Sequence, residues 1–448
     1  MAANLGKVTA EFHGQVLAPG HQDYDAARLI WKGIDRQPAL IFRCADVTDV
    51  RRALEYAHDA GLPFAVAGAG HDVAGRSVPD GGIVLSTARL RQVTIDPVGK
   101  VARLGAGVQW GELAAAAVPY ELATTGAASA SVGVAGFSLH GGYGLLMRSC
   151  GTGCDNIIEV DMVTPDGTHR TVNQHTDPDL LWAVRGAGAN FGVVTSLTLR
   201  MHTIPRVTVG VVSYPVTRAR DVLRAYRQIT ATAPNELVTD FYYKVNLDGT
   251  RTASIGICFN GARVDAERAL EALTGLGRPW RDALREASAV ELHALHNTST
   301  PYGPRYHLRS HYLDELSDEV IELILDQGER ITAPLTGIFL EHLGGAIATV
   351  RPDATSFHGR DARYSFLAIA GWTEPEQDET HKVWTRELSK SLEPLSMDAC
   401  YANYLDDDED NRIASAYGPG YERLTALKQI YDPTNLLRGN RNIPPTAR

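Results

Sequence analysis

The sequence predicts a two-domain α+β protein. Its 448 residues exceed what one hydrophobic core usually organises, so two domains are the starting expectation. Glycine clusters fill the chain as far as Pro205 and then stop. Beyond that point long amphipathic helical stretches alternate with strand-like runs, the texture of a second unit built in layers.

The elements follow in order. "DVTDVRRALEYAHDAGLP" reads as a helix: Val50, Ala53, Leu54 and Ala57 recur at helical spacing, Asp46 or Thr48 caps the start, and Gly61 then Pro63 end it. "FAVAG", "GIVLS" and "QVTID" read as strands separated by glycine turns. "GVQWGELAAAAV" is a second short helix, and "IIEVDMVTPDGTHRTV" is a hairpin turning at Pro165-Asp166-Gly167. In the second unit "RARDVLRAYRQITATA", "DAERALEALTGL" and "SDEVIELILDQGERIT" are helices, with "SYPV", "TASIGICF" and "YSFLAIAGW" as strands between them. "RIASAYGPGYERLTALKQIYDP" reads as one helix, followed by an extended polar tail that needs a docking surface to be ordered.

Composition excludes several functions. An apolar fraction of 44% with 21% charged residues is that of a globular protein rather than a disordered one. The net charge of −10, from 43 basic and 53 acidic residues spread along the chain, argues against nucleic-acid binding. No apolar run is long enough to span a bilayer, and "MAANLGKVTAEFHGQVLAPG" lacks the blocks of a signal peptide. Five cysteines without a CxxC pair fit a reduced, cytoplasmic setting, and Cys150 with Cys154 supply too few ligands for zinc. The acidic run Asp406 to Asp410 is expected to be a solvated loop. His307 and His311, with His293 and His296, lack the acidic partner of a metal motif, so no metal site is expected and pocket or surface positions are.

Four glycine-rich stretches stand in the first unit: Pro63 to Leu85, Gly105 to Gly111, Ser131 to Gly144 and Arg185 to Ser196. Loops of this kind present successive backbone N–H groups to anionic oxygens and let backbone lie against a flat ring. Four together point to a large, partly anionic ligand rather than to turns alone. No GxxxxGK[ST] or GxSxG occurs, and "GAGANFG" and "GAGVQWG" have the wrong last spacing for GxGxxG. The residues therefore predict a dinucleotide-type cofactor on a frame other than the doubly wound one.

"GAGHDVAG", "VGVAGFSLHGGYG", "CDNIIEVDMVTPDG", "TDPDLLWAVRGAGANFGVVTS" and "YDPTNLLRGNRNIPP", in this order along nearly the whole chain, resemble the FAD-linked oxidases of the berberine-bridge-enzyme type. The resemblance implies the vanillyl-alcohol-oxidase, or PCMH-type, fold: an FAD domain over residues 1–205, a substrate domain of antiparallel sheet covered by helices over 206–396, and a segment 397–448 returning to the FAD domain. It implies a covalent bond from His71 to the FAD 8α-methyl, with Gly68, Ala69, Gly70, Asp72 and Val73 around it. Ser129 stands where some members have a second, cysteinyl attachment, so a single attachment is expected. Val132, Gly133, Gly136, Gly141 and Gly142 are carried over from the second motif as cofactor contacts, with Val132 in the place of an oxidase-type oxygen gate. Val193 and Val194, Asn403, and Asn440 with Asn442 are carried over from the later ones. His140 and Arg441 depart from the family pattern, and Arg441 brings an extra positive charge to the cofactor region.

A flavin oxidase needs a base on the substrate side. "GIFLEHLGGAIATV" reads as a strand with Glu341 and His342 on opposite faces, and burial would raise the Glu341 pKa as a base requires. "CYANYLDD" matches the family's YxNY segment, which puts Tyr401, Asn403 and Tyr404 at the reacting face, Tyr401 as a proton acceptor or hydrogen-bonding group and Tyr143 as a pocket wall. The expected function is FAD-dependent oxidation of a small organic molecule by dioxygen, with a reduced quinone antibiotic such as mitomycin among the expected substrates and resistance as the expected role. A dehydrogenase using another acceptor, or a flavin-bearing drug-binding protein without turnover, is the alternative.

Overall fold

The structure, a computed structural model, describes residues 2–246, 248–277, 280–295 and 301–446. Strands β1 (Gln15–Leu17), β2 (Leu40–Arg43), β3 (Phe64–Ala67) and β4 (Ile83–Ser86) form a sheet in the order β1-β2-β4-β3, parallel except for β1. The helix Val47–Ala60 makes the crossover from β2 to β3. Asp46 caps it by accepting from the Asp49 N–H, and Gly61 closes it in the left-handed region at φ 64°. Its Val50, Ala53, Leu54 and Ala57 pack on Phe42, Phe64, Ile83 and Leu85 of the sheet.

A second sheet is antiparallel. It contains β5 (Val93–Asp96) and β6 (Val101–Gly105), then, past the short β7 (Leu122–Ala123), β8 (Ile157–Val163), β9 (His169–Asn173) and β10 (Val193–Arg200), in the order β5-β6-β10-β8-β9. β7 pairs with β11 (His202–Thr203) outside it. The hairpin β8-β9 turns at Gly167, whose φ of 77° suits glycine.

The third sheet is the largest. β12 (Val207–Pro215), β13 (Leu237–Val245), β14 (Arg251–Phe259), β15 (Arg285–Ala287), β16 (Arg305–Leu313), β17 (Gly337–His342) and β18 (Tyr364–Trp372) run antiparallel in the order β15-β12-β14-β13-β17-β18-β16. Helices Ala219–Thr232, Asp318–Glu329 and Asp378–Leu392 cover one face, where Tyr226, Ile324 and Leu388 meet Phe241, Tyr243, Leu340 and Phe366. Strand alternation then sends Asp240, Tyr242, Phe339, Glu341 and Leu367 to the opposite face. That face meets the first unit: Trp31, Tyr306, Leu308 and Ile369 form a core to which Val73, Phe339, Leu367 and Tyr404 add.

Three expectations are corrected here. The stretch from Arg412 to Pro433 is two helices, Ile413–Tyr417 and Tyr421–Tyr431, broken at Gly418-Pro419-Gly420. Gly418 sits at φ 51° with the His358 ring where a side chain would stand. His307 and His311 are neither surface nor pocket groups, since they lie under the helix Asp378–Leu392, bonded to Thr385 (2.5 Å) and to Ser389 and Ser396 (2.7 and 3.1 Å). His293 is buried against Trp110, and His296 lies outside the described residues.

The acidic run is not a solvated loop either. Asp406 is fully buried and pairs with Lys32 at 2.7 Å; Asp407 pairs with Arg36, Asp408 with Arg309 and Arg386, Glu409 with Arg412, and Asp410 with Arg76. Lys32, Arg36 and Arg76 belong to the first unit and Arg309 and Arg386 to the third-sheet unit, so the run ties the two together. Burial alone would raise the Asp406 pKa, but Lys32 and His307 hold it below the usual carboxylate range. Its stabilising contribution is therefore present at neutral pH and lost as pH falls through the folded pKa. Asp406→Asn leaves Lys32 buried without its charge partner and is expected to cost about 3–5 kcal/mol in urea unfolding at neutral pH. The difference from wild type should shrink under acid.

The C-terminal tail docks by polar stitching. Lys428 and Asp432, both fully buried, pair at 2.7 Å, and Lys428 also donates to the carbonyls of Asn190 and Leu437. Asn190 accepts from the Ile443 N–H and donates to the Arg441 carbonyl, which seats the last residues on the loop after the helix Pro178–Ala187.

Candidate active site between the first unit and the large sheet

The loop after β3 enters the interface. Gly70 takes φ 78° where a Cβ would stand 3.3 Å from the Leu29 carbonyl oxygen, and its own carbonyl accepts from the Trp31 N–H at 2.7 Å. His71 is thereby held between Trp31, stacked at 6.4 Å, and the edge of Tyr302 at 5.1 Å. Its Nε2 lies 2.9 Å from Ser131 Oγ, and Ser131 Oγ lies 3.3 Å from Ser129 Oγ. Burial pushes the imidazole pKa down to about 4, so at neutral pH it is uncharged and keeps a nitrogen lone pair. Asp72 accepts from the N–H groups of Ala74 and Ser77 and so shapes the turn. Val73 packs toward the large sheet, in the core that includes Phe339 and Tyr404.

Residues 132–134 run alongside 108–110, with Trp110 N–H donating to Val132 O and Val134 N–H to Val108 O. This places Gly133 against Ala69, where a Cβ would come within 3.0 Å of the alanine's. Gly68 and Gly136 instead have open space on their Cβ side, with nothing closer than 4.0 Å. Gly141 (φ 110°) and Gly142 (φ 93°) are required by protein contacts: a side chain at Gly141 would strike Phe357 and Tyr401, and one at Gly142 would strike Phe137. The side chains of Val193 and Val194 face cores, and both residues pair with β8 in the second sheet.

Beside Glu341 of the large sheet, aromatic groups from the first unit and the tail segment converge. Tyr401 accepts from the Gly142 N–H (2.8 Å) and from Asn403 Nδ2 (3.0 Å). Its ring lies 4.3 Å from Tyr143 and 4.8 Å from Tyr404, and Tyr143 shares a 2.7 Å hydrogen bond with Tyr312. Burial raises the pKa values of both Tyr401 and Tyr143, so these phenols keep their protons and act by hydrogen bonding and shape rather than as bases. Tyr404 donates to Glu341 Oε1 at 2.8 Å, while Glu341 Oε2 is buried without a partner. Burial raises the Glu341 pKa, partly countered by the Tyr404 bond and the Ser365 hydroxyl. Asp240, directly across from Glu341 on β13, accepts from Tyr242 at 3.1 Å.

The two departures His140 and Arg441 belong to one neighbourhood. Burial, then the Arg441 charge, push His140 down to about 4, and its Nδ1 lies 3.2 Å from Gly136 O. A neutral ring donating from Nδ1 leaves Nε2 as an acceptor, and that atom is buried without a partner. Arg441 donates to the carbonyls of Asn403 and Leu405 and lies 3.6 Å from Asp72. Arg441 Nε, Asn440 Oδ1, Asn442 Oδ1 and Ser77 Oγ are buried without partners as well. Buried polar atoms are ordinarily paired, so this cluster on the glycine-loop and tail segments fits a long ligand with polar edges. Asp240, Trp31 and Tyr302 lie outside the motifs read from the sequence, with strand alternation as the signal around Asp240, whereas Ser131 opens the glycine-rich stretch that ends at Gly144.

Among the described residues the one set of close metal-type ligands is His13, Asp46 and Asp49. Asp49 already accepts from the N–H groups of His13, Gly14 and Ala45, and Asp46 caps a helix, so this set is a turn held by hydrogen bonds.

Comparison with known proteins agrees on the fold. Residues 38–173 match the family of the FAD binding domain, and residues 400–444 match the berberine and berberine-like family. The (R)-6-hydroxynicotine oxidase of Paenarthrobacter nicotinovorans is 31% identical over 461 residues, covering 96% of this chain and 97% of its own. The FAD-linked oxidoreductase YgaK of Bacillus subtilis is 28% identical over 445 residues, covering 97% and 98%. The crystal structure of 6-hydroxy-D-nicotine oxidase from Arthrobacter nicotinovorans superposes with a TM-score of 0.88 at 28% identity over 97% of this chain and 99% of that one. The berberine-bridge-like enzyme 1 of Physcomitrella patens shares the fold, with a TM-score of 0.90 at 23% identity over 99% and 100%.

Proposed function

The chain belongs to the FAD-linked oxidoreductases of the berberine-bridge type, and from that premise we propose that it oxidises a small organic substrate with dioxygen as acceptor, on FAD held covalently through His71. The observation that carries the reading is the meeting of the His71 loop, the orphaned polar atoms of His140, Asn440, Arg441 and Asn442, and the Tyr401–Tyr404–Glu341 wall. Bound FAD supplies the two-electron acceptor. The open sides of Gly68 and Gly136 admit the ligand beside Gly70, Gly133 and Val132, and Asn440 and Asn442 offer it acceptors.

His71, neutral and oriented by Ser131, offers the nitrogen for attachment. With serine rather than cysteine at residue 129, the attachment is single. Glu341 takes the substrate proton, oriented by Tyr404. Tyr401, fixed by Gly142 and Asn403, and Tyr143 position the substrate. Val132, half-buried and packed on the core of the first unit, stands at the position assigned to the dioxygen gate. Five unpaired cysteines support a cytoplasmic setting, and no helix of the described residues is long and apolar enough to cross a membrane.

Mass spectrometry of the acid-denatured protein tests the cofactor: a gain of one FAD, mapped to the His71 peptide, is expected. Anaerobic reduction by candidate substrates tests the function. The panel should hold amines, oligosaccharides and a reduced quinone antibiotic of the mitomycin kind, the last testing a role in resistance. Rapid reoxidation on admitting air, with hydrogen peroxide formed at many turnovers, is expected. Slow reoxidation would make the enzyme a dehydrogenase.

A further inference from the structure

Two carboxyl groups face each other at the substrate side of the site. Asp240 on β13 and Glu341 on β17 are direct partners in the antiparallel register, which brings their side chains together on one face. Each is held from outside by a phenol, Tyr242 at 3.1 Å from Asp240 and Tyr404 at 2.8 Å from Glu341. Glu341 Oε2 is buried without a close hydrogen-bond partner, and only the Ser365 hydroxyl across the strand register stands beside the carboxyl. Around the pair stand Tyr242 packed on Phe339, and Tyr401 and Tyr143 beyond Tyr404.

Among the described residues no cation is paired to either acid. The titratable groups facing the pair are Tyr242 from β13, Cys258 from β14, Tyr312 from β16, and Tyr143, Tyr401 and Tyr404 from the first unit and the tail segment, while Tyr226 lies behind it on the helix-covered face of the sheet, bonded to the Thr239 and Leu340 carbonyls. Lys244 lies four residues along β13, and Arg148 is bound by the Leu237 and Leu343 carbonyls and by His342; neither is ion-paired to the two acids. Burial first, then the Glu341 charge, push Asp240 up to about 8, and burial raises Glu341. Two acids side by side without a counter-ion resist ionising together, so Asp240 keeps its proton at neutral pH.

We propose that Asp240 and Glu341 act as one proton-sharing acid pair that receives the protonated nitrogen of an arylalkylamine, the aromatic walls taking the aryl group. The inference rests on the oxidase reading above and names the substrate class of the same site. An ammonium supplies the missing counter-charge, its N–H groups reach the unpaired Glu341 oxygen, and the tyrosine faces attract a cation. Binding displaces the shared proton to solvent, and the fully ionised pair can then take a proton from the ammonium, leaving a neutral amine for oxidation. In this scheme Asp240 is a specificity residue that also sets the protonation of Glu341.

The test is anaerobic rapid mixing of the FAD-loaded enzyme with benzylamine and with benzyl alcohol, the affinity read from how the rate of flavin bleaching saturates with ligand concentration. Benzylamine should tighten by up to about tenfold per pH unit between about pH 6 and 8, because binding releases a proton, while benzyl alcohol should not respond to pH. Asp240→Asn should weaken benzylamine by at least about tenfold and flatten its pH response, a larger effect than on benzyl alcohol. Benzylamine affinity that is flat with pH in the wild type, or untouched by Asp240→Asn, overturns the proposal while the oxidase reading stands. If Asp240→Asn does not fold, the wild-type pH comparison alone decides. A protein that takes up no FAD fails the oxidase reading first, and the inference with it.

Discussion

His71→Ala is expected to yield a folded protein that carries no covalent flavin. In the wild type the imidazole is uncharged, fixed by Ser131 at 2.9 Å, and walled by Trp31 and Tyr302. Removing it deletes the attaching nitrogen, while the loop keeps its shape from Gly70 and from the Asp72 turn. Acid denaturation should therefore release all flavin to the supernatant, against a yellow pellet for wild type. The lost Ser131 hydrogen bond should cost only about 1 kcal/mol in stability. A lowered imidazole pKa means the fold opposes protonation, so wild-type stability falls as pH drops below the unfolded histidine value. The alanine variant should lose the His71 share of that slope, while the buried His140 keeps its own. A covalent adduct that persists in His71→Ala places the attachment elsewhere.

Glu341→Gln should lower kcat by roughly 10²- to 10⁴-fold, the usual contribution of a general base, with a much smaller change in flavin content. The Tyr404 hydroxyl can still donate to the amide oxygen, so position is kept and proton acceptance is lost. Because burial raises the Glu341 pKa, the base is protonated at low pH and becomes active as pH rises through a value above the ordinary glutamate range. Wild-type kcat/KM should show that acidic limb, and Glu341→Gln should not. The same raised pKa makes the folded state bind a proton the unfolded chain releases, so this group's stabilising contribution declines as pH rises. An unchanged kcat in Glu341→Gln would move the base to another residue.

Much of the frame was legible along the chain. The helix Val47–Ala60 with its Asp46 cap and Gly61 stop, and the hairpin turning at Gly167, follow from local periodicity and turn chemistry. Such signals persist because each lies within a few residues of what it controls. The joined helix after Arg412 was misjudged because Gly418 answers to His358, a neighbour distant in sequence.

The acidic run shows where local reasoning stops. Five consecutive acids read as a solvated face, yet their partners Lys32, Arg36, Arg76, Arg309 and Arg386 lie far away in sequence. Asp240 is comparable: nothing in "LVTDFYYKV" marks its aspartate, and only the β13–β17 register sets it against Glu341.

By itself the sequence determined the motif-bearing segments and their glycine-dependent turns from residue type and local spacing, and Glu341 as a base candidate from its place on an apolar strand, while His71 and Tyr401 became candidates through the resemblance of their motifs to the berberine-bridge family. The tertiary structure decided which of these groups are charged and which face one another. Burial makes His71 neutral, keeps Tyr401 protonated, and turns Asp240 and Glu341 into a pair. Desolvation and register depend on chain segments that approach only on folding, so no stretch of sequence contains them.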